Sequence, residues 1–135
     1  MQGFPKSLMA WAIVCAGLAT ACQTAEPVAE YNGSTIYQGY CAGCHGASGA
    51  GDGPVAQSLV TPMEDLRGLQ SRNGGVFPRE RLRDMIDGRG LRAAHGTPDM
   101  PVWGWEFRQV EESDAQVQAR INAVIDYLEG IQITN

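Results

Sequence analysis

The sequence predicts a small all-α domain, and three observations carry that expectation. Val117, Ile121, Val124, Leu128 and Ile131 recur at spacings of four and three, which draws one apolar stripe along a helix. Start and stop residues stand where helical pattern begins and ends: Ser113 and Gln116 form a capping box before the last stripe, while Pro78 opens an earlier helix and Gly88 closes it. No stretch alternates apolar and polar residues as a half-buried strand would. The 135 residues suffice for one domain and hardly for two, and no segment repeats.

Residues 1–21 read as a targeting segment. Lys6 supplies a positive charge, and the apolar run from Leu8 to Leu18 has the length of a signal-peptide core, too short to cross a bilayer. Ala19-Thr20-Ala21 is an A-x-A cleavage site. The same residues followed by Cys22 also resemble a bacterial lipobox, in which the cysteine becomes the lipidated first residue. Both readings cut before Cys22. Cys15 leaves with the leader, so an unmodified Cys22 would be a lone thiol in an oxidising compartment. Lipidation of Cys22 is therefore the preferred reading, and it anchors the domain to a membrane. Gln23 is compatible with delivery to the outer membrane. Residues 22–31 are polar and aperiodic and form a short tether, leaving 32–135 as the folded domain.

Helical pattern begins near Asn32, with Ile36, Tyr37 and Tyr40 on one side. It runs into Cys41-Ala42-Gly43-Cys44-His45. Gly46, Gly49, Gly51 and Gly53 follow closely and end at Pro54, a loop able to lie close to a flat ligand. No strand precedes these glycines and no Gly-Lys-Ser/Thr follows, so a phosphate cradle is a poor reading. Thr61-Pro62-Met63-Glu64 reads as a short helix start, with Thr61 as cap and Glu64 completing a capping box. Leu59, Leu66 and Leu69 are core candidates. A loop around Asn73-Gly74-Gly75 precedes the helix from Pro78 to Asp87, which turns Leu82, Met85 and Ile86 inward. Residues 89–107 show little periodicity, yet they hold Arg89, Arg92, His95, Met100, Pro101, Trp103 and Trp105.

The chemistry centres on Cys41-x-x-Cys44-His45, the attachment signature of c-type haem. Two thiols on one turn can bond the two vinyl groups of one haem as thioethers, and the histidine that follows can bind the iron. A redox dithiol would leave His45 unexplained. A zinc site would need more ligands than His95 can supply. The second axial position needs a side chain from elsewhere, and the candidates are Met100, His95, Met63 and Met85. Met85 on an apolar helix face and Met63 in a capped turn read as packing. Met100 lies in Pro98-Asp99-Met100-Pro101, where prolines can fix the direction of a thioether, and it is preferred over His95. His95 otherwise reads as a loop histidine. Arg72, Arg89 and Arg92 are candidate propionate partners, each with a plainer reading as a solvated charge. Trp103 and Trp105 are candidate pocket walls, or plain core.

This arrangement resembles a class I c-type cytochrome of the bacterial, monohaem kind, over residues 32 to 131. The resemblance rests on the haem motif near the start, Met100-Pro101 late in the chain and the final amphipathic helix. It implies that the first and last helices cross, using Gly33 and Tyr37 against Val124 and Tyr127. It places the distal ligand at the Met100-Pro101 step. It also implies that a proline carbonyl, here at Pro54, accepts a hydrogen bond from the second nitrogen of His45.

With both axial positions filled, the expected function is one-electron transfer between redox proteins on the periplasmic side of a bacterial envelope. The alternatives are an electron-accepting haem subunit of a dehydrogenase or oxidase, and a haem gas sensor. Formal charge is −5, and loss of the leader removes Lys6, the only lysine, but none of the 15 acidic residues. That balance argues against nucleic acid or anionic lipid, and it fits either a redox partner with a basic docking patch or a charge that only aids solubility.

Overall fold

The computed structural model describes residues 30–88, 100–111 and 113–133. Among them are helices and turns and no strand, so the all-α expectation holds. The elements are α1 (Gly33–Tyr40), α2 (Ala42–His45), α3 (Leu69–Arg72), α4 (Arg79–Asp87), α5 (Trp103–Phe107) and α6 (Asp114–Gly130), with single 3₁₀ turns at Ala56–Ser58 and Leu66–Gly68.

The caps explain where the helices start. The Asn32 side chain accepts from the Thr35 amide at 2.9 Å and begins α1. Ser113 accepts from the Gln116 amide at 3.3 Å, and its hydroxyl donates to Gln116 Oε1 at 2.9 Å, so the capping residues read from sequence are in place. Gly88 ends α4 in the left-handed region, φ 79°, and returns its amide to the Asp84 carbonyl.

α6 is the spine. Val117, Ile121, Val124 and Leu128 are buried as the stripe requires, and Ile125 widens it. α1 crosses α6 so closely that a methyl group on Gly33 would lie 1.9 Å from the Ala123 carbonyl oxygen. Tyr37 packs on Tyr127 with ring centres 4.9 Å apart. The crossing inferred from the resemblance is thus present, with the Ala123 backbone directly opposite the glycine. α4 lies on another side of α6. Leu82 and Ile86 enter the core, Arg83 donates to Asn122 Oδ1 at 3.0 and 3.1 Å, and Arg79 pairs with Asp126 and Glu129. The tail after α6 stitches down the 3₁₀ turn and α3: Gln132 donates to the Leu66 carbonyl at 2.9 Å and accepts from the Gln70 amide at 2.9 Å.

Two sequence expectations are corrected. No helix starts at Thr61; residues 61–65 are irregular, and the turn that follows is capped by Asp65, whose side chain accepts from the Arg67 amide at 2.9 Å. A carboxylate beside an arginine makes a stronger cap than the neutral Thr61. The aperiodic stretch before Phe107 contains α5, which at five residues is too short to display a helical period.

Candidate functional site

α1 delivers its last turn into the Cys-x-x-Cys-His motif. The Cys41 amide bonds the Tyr37 carbonyl at 2.9 Å, and the His45 amide bonds the Cys41 carbonyl at 2.9 Å, which closes α2 as one helical turn. Both thiols are free. The glycine loop folds back on this turn: the Gly51 amide reaches the His45 carbonyl at 2.8 Å and the Val55 amide reaches the Gly43 carbonyl at 3.0 Å. Gly53 is buried against the motif, and a methyl group there would sit 2.5 Å from the Gly43 carbonyl oxygen. The close approach that Gly53 permits is therefore to the motif's own backbone, while Gly51 lies against the Met63 carbonyl instead. Tyr37, fully buried, donates its hydroxyl to the Gly46 carbonyl at 2.8 Å and braces the turn from below.

Beside the motif lies a cavity of about 500 Å³. Cys41, Cys44 and His45 line it, as do Met100, Pro101 and Trp103 from far along the chain, with Met63, Met85, Leu59, Leu66, Leu69 and Leu82 between. The aromatic groups of the two parts touch. Tyr40 meets the Trp103 and Phe107 rings edge-on at 5.4 and 5.5 Å, and Trp103 stacks on Phe107 at 6.1 Å.

The electrostatics suit a neutral metal ligand. Burial lowers the His45 imidazole below its ordinary value, opposed by the Glu64 carboxylate, so the ring is held uncharged and able to donate a lone pair. Burial, aided by neighbouring Cys44, pushes the Cys41 thiol up to about 12. It stays a thiol at neutral pH. His45 Nδ1 is buried and has no hydrogen-bond partner among the described residues. A neutral histidine, two free thiols and a thioether, all lining one largely apolar cavity, fit haem c. No three His, Cys, Asp or Glu side chains converge as a metal cluster among the described residues.

Several side chains stand elsewhere than expected. Pro54 is exposed, does not line the cavity and makes no bond to His45 Nδ1, because the turn at Gly53 packs onto Gly43 and Cys44 instead. Trp103 lines the cavity, but Trp105 is 59% exposed, since two residues along a helix point to nearly opposite sides. Met63, Met85 and Leu59 line the cavity and do not belong to the core cluster. Arg89, Arg92, His95 and Cys22, together with the leader and nearly all of the tether, lie outside the described residues.

Sequence reasoning missed three features, Arg81, Asp87 and the Glu111–Arg120 pair, and did not foresee that Arg72 is engaged. Arg72 lines the cavity as expected, yet it already donates to the Asp65 carbonyl at 2.7 Å and faces Glu64 at 3.6 Å. Arg81, never singled out, also lines the cavity and is exposed. Asp87 is buried at the end of α4, where it accepts from Arg108 and Gln118. Glu111 pairs with Arg120 at 2.5 Å and accepts from the Tyr31 hydroxyl at 2.5 Å, with the Arg120 guanidinium 5.1 Å from the centres of the Tyr31 and Phe107 rings.

A helical domain that presents two thiols, a histidine and a methionine to one cavity is built to hold a metalloporphyrin. The family model described as Cytochrome c matches residues 31–132, and the chain belongs to that family. Its members carry covalently bound haem c and transfer electrons. No curated protein and no solved structure matches the chain.

Proposed function

We propose that this chain binds one haem c, through Cys41 and Cys44, and acts as a one-electron carrier of the monohaem class I type. His45 and Met100 are the axial ligands, and haem supplies the one-electron couple of its iron. The observation that carries this reading is the convergence of Cys41, Cys44, His45, Met100 and Pro101 on one cavity. The chain's own contribution is ligation, a largely apolar wall that keeps water from the metal, and arginines for the propionates. Arg81 suits that last task better than Arg72, whose guanidinium is already engaged.

The targeting segment and Cys22 support a bacterial lipoprotein on the periplasmic side of the outer membrane, and the excess of acidic residues supports a partner with a basic patch. Membership of a larger oxidoreductase remains compatible with the same site, and co-purification with a flavin, quinone or molybdenum protein is its signature. Mass spectrometry of the mature N-terminus decides the anchor; an unmodified Cys22 contradicts it.

The direct test of function is a potentiometric titration of the haem-loaded protein under carbon monoxide and under argon. A carrier with closed coordination gives one single-electron wave and the same curve in both gases. Two waves contradict a single haem, and a curve shifted upward by carbon monoxide favours a gas sensor.

A further inference from the structure

Asp87 is the most deeply buried carboxylate among the described residues, with 2% of its side chain exposed. It is the last residue of α4. Its Oδ1 accepts from Arg108 Nη2 at 2.8 Å, just past α5, and its Oδ2 accepts from Gln118 Nε2 at 3.1 Å, on α6. α5 rests directly on it: a methyl group on Gly104 would lie 2.0 Å from Oδ1 and 2.4 Å from the Asp87 carbonyl oxygen. The neighbouring Gly88 is as close to Val102, whose Cγ1 a methyl group would meet at 2.2 Å. The chain on either side of residues 89–99 is therefore pressed together, 87–88 against 102–104. Met100 and Pro101 come immediately before this contact and line the cavity.

A carboxylate in such a place is costly unless it is paired and hydrogen-bonded, and an apolar side chain could fill the volume at less cost. What the charge adds is a single arrangement of three elements, because Arg108 and Gln118 must meet its two oxygens while Gly104 leaves room for α5 against them. We propose that Asp87 is a positioning residue for the axial ligand, and that its bonds to Arg108 and Gln118 hold the segment carrying Met100 in register with the cavity. This rests on Met100 as the iron ligand. A thioether is a neutral, soft ligand, and it yields to a competing imidazole when it is not held in place.

The test titrates free imidazole into the oxidised, haem-loaded protein and follows the spectrum. Asp87→Asn keeps the shape and removes the charge; Arg108→Gln removes the same pair from the more exposed side and serves if the first variant does not fold. Both should bind imidazole about tenfold more tightly than wild type, the scale of one lost charge-assisted bond. Asn32→Ala, which removes the α1 cap, is the control: it lowers the melting temperature and leaves imidazole affinity unchanged. If Asp87→Asn and Arg108→Gln merely melt earlier, as the control does, Asp87 is structural and the proposal falls. Met100→Ala separates the two readings. If it keeps the methionine–iron charge-transfer band, the ligand assignment fails and takes the proposal with it. If it loses the band while imidazole affinity in Asp87→Asn stays at the wild-type value, only the positioning role fails.

Discussion

The hydroxyl of Tyr37 donates to the carbonyl of Gly46 across 2.8 Å, which ties the buried face of α1 to the residue directly after His45. Burial, with lesser contributions from Cys41, Tyr127 and Asp52, pushes the phenol up to about 12, so it remains a donor well above neutral pH. Tyr37→Phe keeps the ring against Tyr127 and leaves the buried Gly46 carbonyl with only the Gly49 amide, at 3.0 Å, as donor. The expected loss is about 0.5–1.5 kcal/mol, read as a lower denaturant midpoint at unchanged slope.

The helix crossing makes a sharper contrast between two glycines of α1. Gly33 abuts the Ala123 carbonyl, a backbone atom that cannot rotate away, so Gly33→Ala should cost at least about 1–3 kcal/mol and loosen α1 from α6. A methyl group on Gly39 would meet nothing within 4 Å, and Gly39→Ala should stabilise by about 0.5–1 kcal/mol through helix propensity. Thermal melts of the pair check both signs at once.

Acid should act through Asp65. Hydrogen bonds from the Arg67 side chain and amide hold its carboxyl at about 2, below its ordinary 3.8. The folded value is depressed, so the unfolded chain takes up the proton first as pH falls. The contribution is complete above the unfolded value of 3.8 and fades as pH drops towards about 2. It is small, because the pair is partly exposed. The stability difference between wild type and Asp65→Asn should be flat above pH 4 and shrink between there and pH 2.

Much of this fold was legible because its signals are local. Asn32, Gly88 and Ser113 each name a helix boundary within one turn of chain, and the α6 stripe repeats often enough to declare its face. The haem motif is local too. Met85 shows where such reading stops. Helical period says that it points inward, and it does, but period cannot distinguish a core from a cavity, and Met85 lines the cavity. Thr61 failed for a related reason: a capping pattern needs an apolar run after it, and none follows before Asp65 caps the next turn. Asp87 was invisible because its meaning depends on Arg108, Gln118 and Gly104, which only the packing of α4, α5 and α6 brings together.

In the proposed function the haem is held from both sides, by His45 and by Met100. The measurement that meets it most directly is the absorption spectrum of the oxidised, haem-loaded protein at neutral pH, for wild type, Met100→Ala and His95→Ala. A methionine–iron charge-transfer band is expected in wild type and His95→Ala, and its loss in Met100→Ala. A band that survives in Met100→Ala, or disappears only in His95→Ala, contradicts it.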